Sequence, residues 1–208
     1  MQVLRGEINP LEERIKAIAE LKQTVNKYSD RFIGFGACPA GLELEQTQSW
    51  IEEHIVNSDL KGIGEITLGA NQIALTENIF KATAEYERLP LWFHTFNPLT
   101  SKDINDLIAL AAKYPRSIVI LGHGGGSYWL ETLEEIIHLK NVYFDISASF
   151  TTHSVKIASE IIPERVLFSI DMPYGSAQVM KALVNDAVKD PGIRQLIFEQ
   201  NIKNLLHL

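Results

Sequence analysis

Six short apolar runs, each followed by a helical stretch, constrain the fold of this chain more than any other feature. The runs are residues 31–38 (RFIGFGAC), 62–68 (GIGEITL), 90–96 (PLWFHTF), 117–122 (SIVILG), 141–147 (NVYFDIS) and 165–170 (RVLFSI). Several are continuously apolar, the pattern of strands buried on both faces of a parallel sheet. Between them, apolar residues recur at helical spacing. Leu11, Ile15, Ile18, Leu21 and Val25 follow a helix start at Asn9-Pro10, and Ile104, Leu107, Ile108 and Ala111 follow a capping box at Thr100–Asp103. Residues 41–56, 75–88, 128–138, 154–161, 177–188 and 193–206 fill the other gaps as helices. This alternation predicts βα units in a parallel sheet, either an open doubly wound sheet or a (β/α) barrel. No G-x-G-x-x-G follows the first strand, which leaves the nucleotide-binding open sheet with little support.

The length of 208 residues predicts a single domain over residues 1–208. A net charge of −7 and the lack of a lysine or arginine cluster argue against nucleic acid as a partner. They leave a small-molecule substrate as the expectation. No apolar run approaches the ~18 residues of a membrane span, and the N-terminus lacks a signal-peptide pattern. The single cysteine, Cys38, precludes an internal disulfide framework and fits a reducing cytoplasm.

The chemistry-bearing residues gather at strand ends. His94 closes the run at Pro90, His123 the run at Ser117, and Asp171 follows the run at Arg165, while Glu65 lies within the run at Gly62. In a barrel those C-terminal ends converge on one mouth, where catalytic residues sit. Two imidazoles and two carboxylates around one point suit zinc or another divalent transition metal. The glycines Gly124–Gly126 after His123 read as a turn that brings backbone close beside the mouth, since no lysine follows to make a phosphate loop. Asp145 and Ser147 in YFDIS read as structural residues at the edge of the mouth, Cys38 as a buried small residue, and Trp92 and Trp129 as packing residues.

Taken together, "YSDRFIGFGAC", "LPLWFHT", "YPRSIVILGHGGG", "NVYFDISAS", "PERVLFSIDMPYG" and "NIKNLL" resemble, in family order, the amidohydrolase-related metal-dependent hydrolases of TIM-barrel fold. The resemblance implies metal ligands at His94, His123 and Asp171, with Asp171 also the base and His123 also steadying a developing oxyanion. It implies a divalent ion, zinc by expectation, that activates a water toward an amide, an ester or lactone, or a carbon–carbon bond next to a carboxylate. "GIGEI" is similar to the "GEIGL" of TatD-type metal-dependent deoxyribonucleases, which implies a ligand role for Glu65 and makes a phosphodiesterase a third reading.

One departure from that family stands out. Its members open with a strand carrying His-x-His, and none of the six histidines here is spaced that way. The expectation is therefore an incomplete TIM-like (β/α) barrel of about six visible βα units against the eight of a full barrel. Two functional expectations follow: a metal-dependent hydrolase, or a non-catalytic barrel remnant that acts as a binding module. Sheet edges left open by missing strands also predict a homo-oligomer.

Overall fold

The structure, a computed structural model, describes residues 11–86 and 89–208. The expected helix start at Asn9-Pro10 lies outside the described residues, as do Glu87 and Arg88 at the end of the expected 75–88 helix. All six apolar runs contribute a strand: β1 (Phe35–Gly36), β2 (Gly62–Ile66), β3 (Leu91–His94), β4 (Val119–Gly122), β5 (Val142–Asp145) and β6 (Val166–Leu167). They form one parallel sheet in the order β1-β2-β3-β4-β5-β6. An open doubly wound sheet reverses its strand order at a switch point. This sheet never reverses, so its topology is that of a TIM-like (β/α) barrel. Among the described residues β1 and β6 each pair on one side only. That explains why both ladders shrink to two residues although the apolar runs around them are longer.

The helices follow the periodicity with trimmed ends. They are α1 (Leu11–Lys27), α2 (Leu44–Ile51), α3 (Glu77–Thr83), α4 (Ser101–Lys113), α5 (Trp129–Ile136), α6 (Thr152–Ile161), α7 (Ala177–Ala187), α8 (Pro191–Gln195) and α9 (Asn201–Leu206). Wider π-helical turns carry α2 on through Glu52–Val56 and join α8 to α9 through Leu196–Gln200. The capping box forms as the sequence predicts. Thr100 Oγ1 accepts from the Asp103 amide, and the Asp103 carboxylate accepts from the Thr100 amide at 2.8 Å.

Alternation along the strands splits the side chains into two layers. Leu91, Phe93, Val119, Leu121, Val142, Phe144 and Val166 point outward into the large core beneath the helices. Each such fully buried side chain contributes roughly 1.5–3 kcal/mol. Trp92, Ile120, Tyr143 and Leu167 point to the other face, where Phe35 and Leu205 join them. Register aligns Trp92 with Ile120 and Ile120 with Tyr143. His94, two residues after Trp92, and Asp145, two after Tyr143, therefore belong to this inner face at the C-terminal end of the sheet.

Arg165 ties the sheet to its helices from the opposite side. Its buried guanidinium donates to the carbonyls of Ile136, Ile137, Leu139 and Val142, at 2.7 to 3.0 Å. Those carbonyls belong to the end of α5, the turn that follows it and the first residue of β5, and among the described residues no carboxylate takes part.

Candidate metal centre

Three of the four residues singled out in the sequence meet at one point. His94 ends β3, and His123 follows β4 by one residue. Because His94 pairs with Gly122, the two imidazoles become neighbours, with His94 Nδ1 3.1 Å from His123 Nε2. Glu65 arrives from β2 through an irregularity in the ladder. Ile63 pairs with Leu91 but Ile66 pairs with Phe93, so β2 has one extra residue here. A bulge of this kind re-aims a side chain. Glu65 Oε1 comes within 3.1 Å of His94 Nδ1 and 3.4 Å of His123 Nε2.

The other nitrogen of each ring fixes what faces this triangle. His94 Nε2 lies 3.1 Å from the Asn97 carbonyl oxygen, which can only accept, so Nε2 carries a proton. Neutral His94 then presents the Nδ1 lone pair to Glu65. His123 Nδ1 lies 2.9 Å from Ser147 Oγ. Burial favours a raised pKa for Glu65, but the adjacent His123 and His94 imidazoles outweigh it and hold the carboxyl at about 2. Burial pulls His94 down, yet the Glu65 carboxylate and the Asn97 carbonyl raise its pKa above the ordinary 6.5.

These residues suit a metal ion. Three donors each ~2.1 Å from one ion stand ~3.0 Å apart in octahedral and ~3.4 Å apart in tetrahedral geometry. The observed separations of 3.1, 3.1 and 3.4 Å span that interval. Two imidazoles and one carboxylate suit zinc, iron or manganese. Glu65, His94 and His123 form a group of metal-ligating type among the described residues.

The turn after His123 is built to let the chain pass at close quarters. Gly125 has φ +85°, and a Cβ there would stand 2.1 Å from Thr132 Oγ1. At Gly126, with φ +56°, a Cβ would stand 2.1 Å from the Phe96 ring. The Gly125 amide donates to Thr95 Oγ1 at 2.8 Å, which ties the turn to the residue after His94.

The amidohydrolase family profile matches residues 13–208. The chain belongs to the amidohydrolase family. No curated protein matches this chain in sequence. Solved structures show the same fold. 2,6-Dihydroxybenzoate decarboxylase from Rhizobium superposes with a TM-score of 0.75 at 18% identity, covering 94% of this chain and 77% of that one. 5-Carboxyvanillate decarboxylase from Sphingomonas paucimobilis gives 0.76 at 18% identity over 95% and 73%. A dihydroxybenzoic acid decarboxylase from Polaromonas sp. JS666, with bound manganese and the inhibitor 2-nitroresorcinol, gives 0.72 at 20% identity over 95% and 75%.

Asp171, the fourth residue singled out, stands outside the triangle but in the same cleft. The cleft has a volume of about 250 Å³, and Glu65, His123, Asp171, Phe35, Trp92 and Ser147 line it. Asp171 has φ +53°, and its carbonyl accepts from the amides of Tyr174 and Gly175. Its carboxylate has no hydrogen-bond partner among the described residues, so it caps no helix there.

Two residues that the sequence reads as structural belong to the site. Asp145, fully buried, accepts through Oδ1 from the His123 amide, the Ser147 amide and the Ser147 hydroxyl. Burial raises its pKa against the pull of those hydrogen bonds. The available signal was spacing: Tyr143, Asp145 and Ser147 are two apart and so share the inner face. Cys38 is buried, as the sequence suggests, and burial pushes its thiol up to about 12. Trp92 packs edge-on against Phe35, 5.7 Å between ring centroids, and also lines the cleft.

Proposed function

We propose that this member of the amidohydrolase family is a metal-dependent enzyme acting on a small, flat organic acid, which it decarboxylates. Glu65, His94 and His123 hold one divalent ion, manganese or zinc, and Asp171 moves the proton. One observation carries the reading: two imidazole nitrogens and a carboxylate oxygen converge at metal-ligand spacing, and the Asn97 carbonyl obliges His94 to turn a lone pair inward. The ion, when bound, supplies Lewis acidity toward the substrate's oxygen atoms. Phe35 and Trp92 offer the apolar wall against which a planar ring lies. Asp171 delivers a proton to the carbon that loses CO2 and recovers one from water. The named relatives, decarboxylases of ring-bearing carboxylates, support this choice of reaction.

The family match supports a second reading, hydrolysis of an amide, ester or lactone by the same residues, with Asp171 accepting a proton from the attacking water. One experiment separates the two. Dialysed protein is reloaded with manganese or zinc, then assayed for CO2 release from hydroxybenzoates and for opening of simple lactones and esters. CO2 release that Glu65→Gln abolishes supports decarboxylation, and lactone or ester turnover alone replaces it with hydrolysis. A protein that takes up no ion and turns over neither class would be a binding module instead.

Two further parts of the reading are a cytoplasmic location and a homo-oligomer that covers the one-sided edges of β1 and β6. No helix among the described residues is long and apolar enough to cross a membrane. Light scattering would test the oligomer, and a monomer would remove that part of the proposal.

A further inference from the structure

Ser147 sits between a carboxylate and an imidazole, and the direction of its single proton decides what His123 can do. Asp145 Oδ1 can only accept, so the Ser147 hydroxyl donates to it. Ser147 Oγ then has only lone pairs left for His123 Nδ1, 2.9 Å away. The imidazole must donate to it. Nδ1 therefore carries the proton, and neutral His123 turns the Nε2 lone pair toward Glu65 Oε1 and His94 Nδ1.

Asp145 is locked in this role. The amides of His123 and Ser147 donate to the same oxygen at 3.1 and 2.8 Å, so the carboxylate cannot rotate away without breaking three hydrogen bonds. These bonds also pin the backbone of His123, which has φ +67°. His123, Asp145 and Ser147 are all buried, so water cannot easily take the place of Ser147 as acceptor.

We infer that Asp145 and Ser147 are a positioning pair that fixes the His123 tautomer and so makes His123 a ligand instead of a hydrogen-bond donor. Among the described residues the pair makes no hydrogen bond to Glu65 or His94, and it acts through His123. This inference rests on the metal reading for its consequence, but the tautomer itself does not. Partners of this outer kind typically change metal affinity by ~10–100-fold when removed.

The test has two arms. The first is the ring-nitrogen NMR spectrum of His123 in the metal-free wild type, recorded as a pH series and read in its deprotonated limit. The expected result is a proton on Nδ1 in wild type and a mixed or inverted population in Ser147→Ala. A wild-type proton on Nε2 overturns the inference. The second arm is the affinity for manganese and for zinc in wild type, Ser147→Ala and Ser147→Thr. Ser147→Ala should bind ~10–100-fold more weakly, with near-UV circular dichroism unchanged, and Ser147→Thr, which keeps the hydroxyl, should recover most of the loss. Equal affinity in wild type and Ser147→Ala overturns the inference. If the wild type takes up no ion, the metal reading fails and the NMR arm alone decides the pair's role. If Ser147→Ala does not fold, the wild-type spectrum still decides.

Discussion

His94 Nδ1 and His123 Nε2 stand 3.1 Å apart although 29 positions separate the two residues in the chain. Parallel register alone brings them together, because His94 pairs with the residue that precedes His123. Glu65 completes the triangle from the strand on the far side of His94.

The first prediction concerns that triangle. Purified protein should hold one divalent ion per chain. Glu65→Gln keeps the size of the side chain but removes its charge, and it should lower metal affinity by ~100-fold or more, beyond the ~10–100-fold typical of outer partners. Elemental analysis after dialysis and a competition titration measure both quantities. Two tightly held ions per chain, or no change in Glu65→Gln, would contradict the assignment.

Asp171 separates proton transfer from metal holding. It lies in the cleft but outside the triangle, and no helix depends on its side chain. Asp171→Asn should therefore cut turnover by ~10²–10⁴-fold, the range of a positioned acid or base. Its metal content and melting temperature should stay close to wild type. Unchanged turnover removes the proton-transfer role, and lost metal content makes Asp171 a ligand as well.

Asp103 gives a pH signature away from the site. Burial raises its pKa, but hydrogen bonds from Thr100 and Asn71 outweigh that and leave it below the ordinary 3.8. Its carboxylate accepts from the Asn71 amide at 2.6 Å, which pins the loop after β2 to α4. A depressed folded-state pKa adds stability that is complete above the unfolded value and is lost as pH falls through the folded value. Asp103→Asn should cost about 1–3 kcal/mol near neutral pH. The gap between the melting temperatures of wild type and variant should narrow below the ordinary aspartate range, and a constant gap would contradict the account.

Arg165 is a structural prediction. Its guanidinium serves four backbone carbonyls, of which Ile136 and Leu139 also accept from the backbone amides of Leu139 and Val142. Arg165→Met takes the guanidinium donor from all four, leaving Ile136 and Leu139 only their backbone donors, at a cost of about 3 kcal/mol, which lowers the melting temperature by roughly 6–12 °C. A thermal scan with a loss below about 1 kcal/mol would show that water replaces the guanidinium.

Gly125 links packing to the site. Its φ of +85° and the 2.1 Å approach of a Cβ to Thr132 Oγ1 make Gly125→Ala strained on two counts. The expected loss is about 1–3 kcal/mol. Metal affinity should fall as well, because the turn that would have to move begins at His123. Melting temperature and a metal titration read the two effects separately.

The sequence by itself determined the layout of this protein. Apolar run length and helical periodicity are local properties, so the six strands, the alternation and the capping box at Thr100 could be read directly. The placing of His94 and His123 at strand ends was legible for the same reason, whereas Asp171 lies four residues past the end of β6. The outer strands shrank to two-residue ladders because pairing depends on a neighbour, which a single run does not reveal. Only the tertiary structure decided which candidates meet. Glu65 joins the imidazoles because a bulge between Ile63 and Ile66 re-aims it, and Asp171 lies in the same cleft but outside the triangle. The protonation pattern was equally hidden. It is set by the Asn97 carbonyl and by Ser147 with Asp145, acceptors whose orientation depends on strand register and burial, while residue type alone leaves both histidine tautomers open.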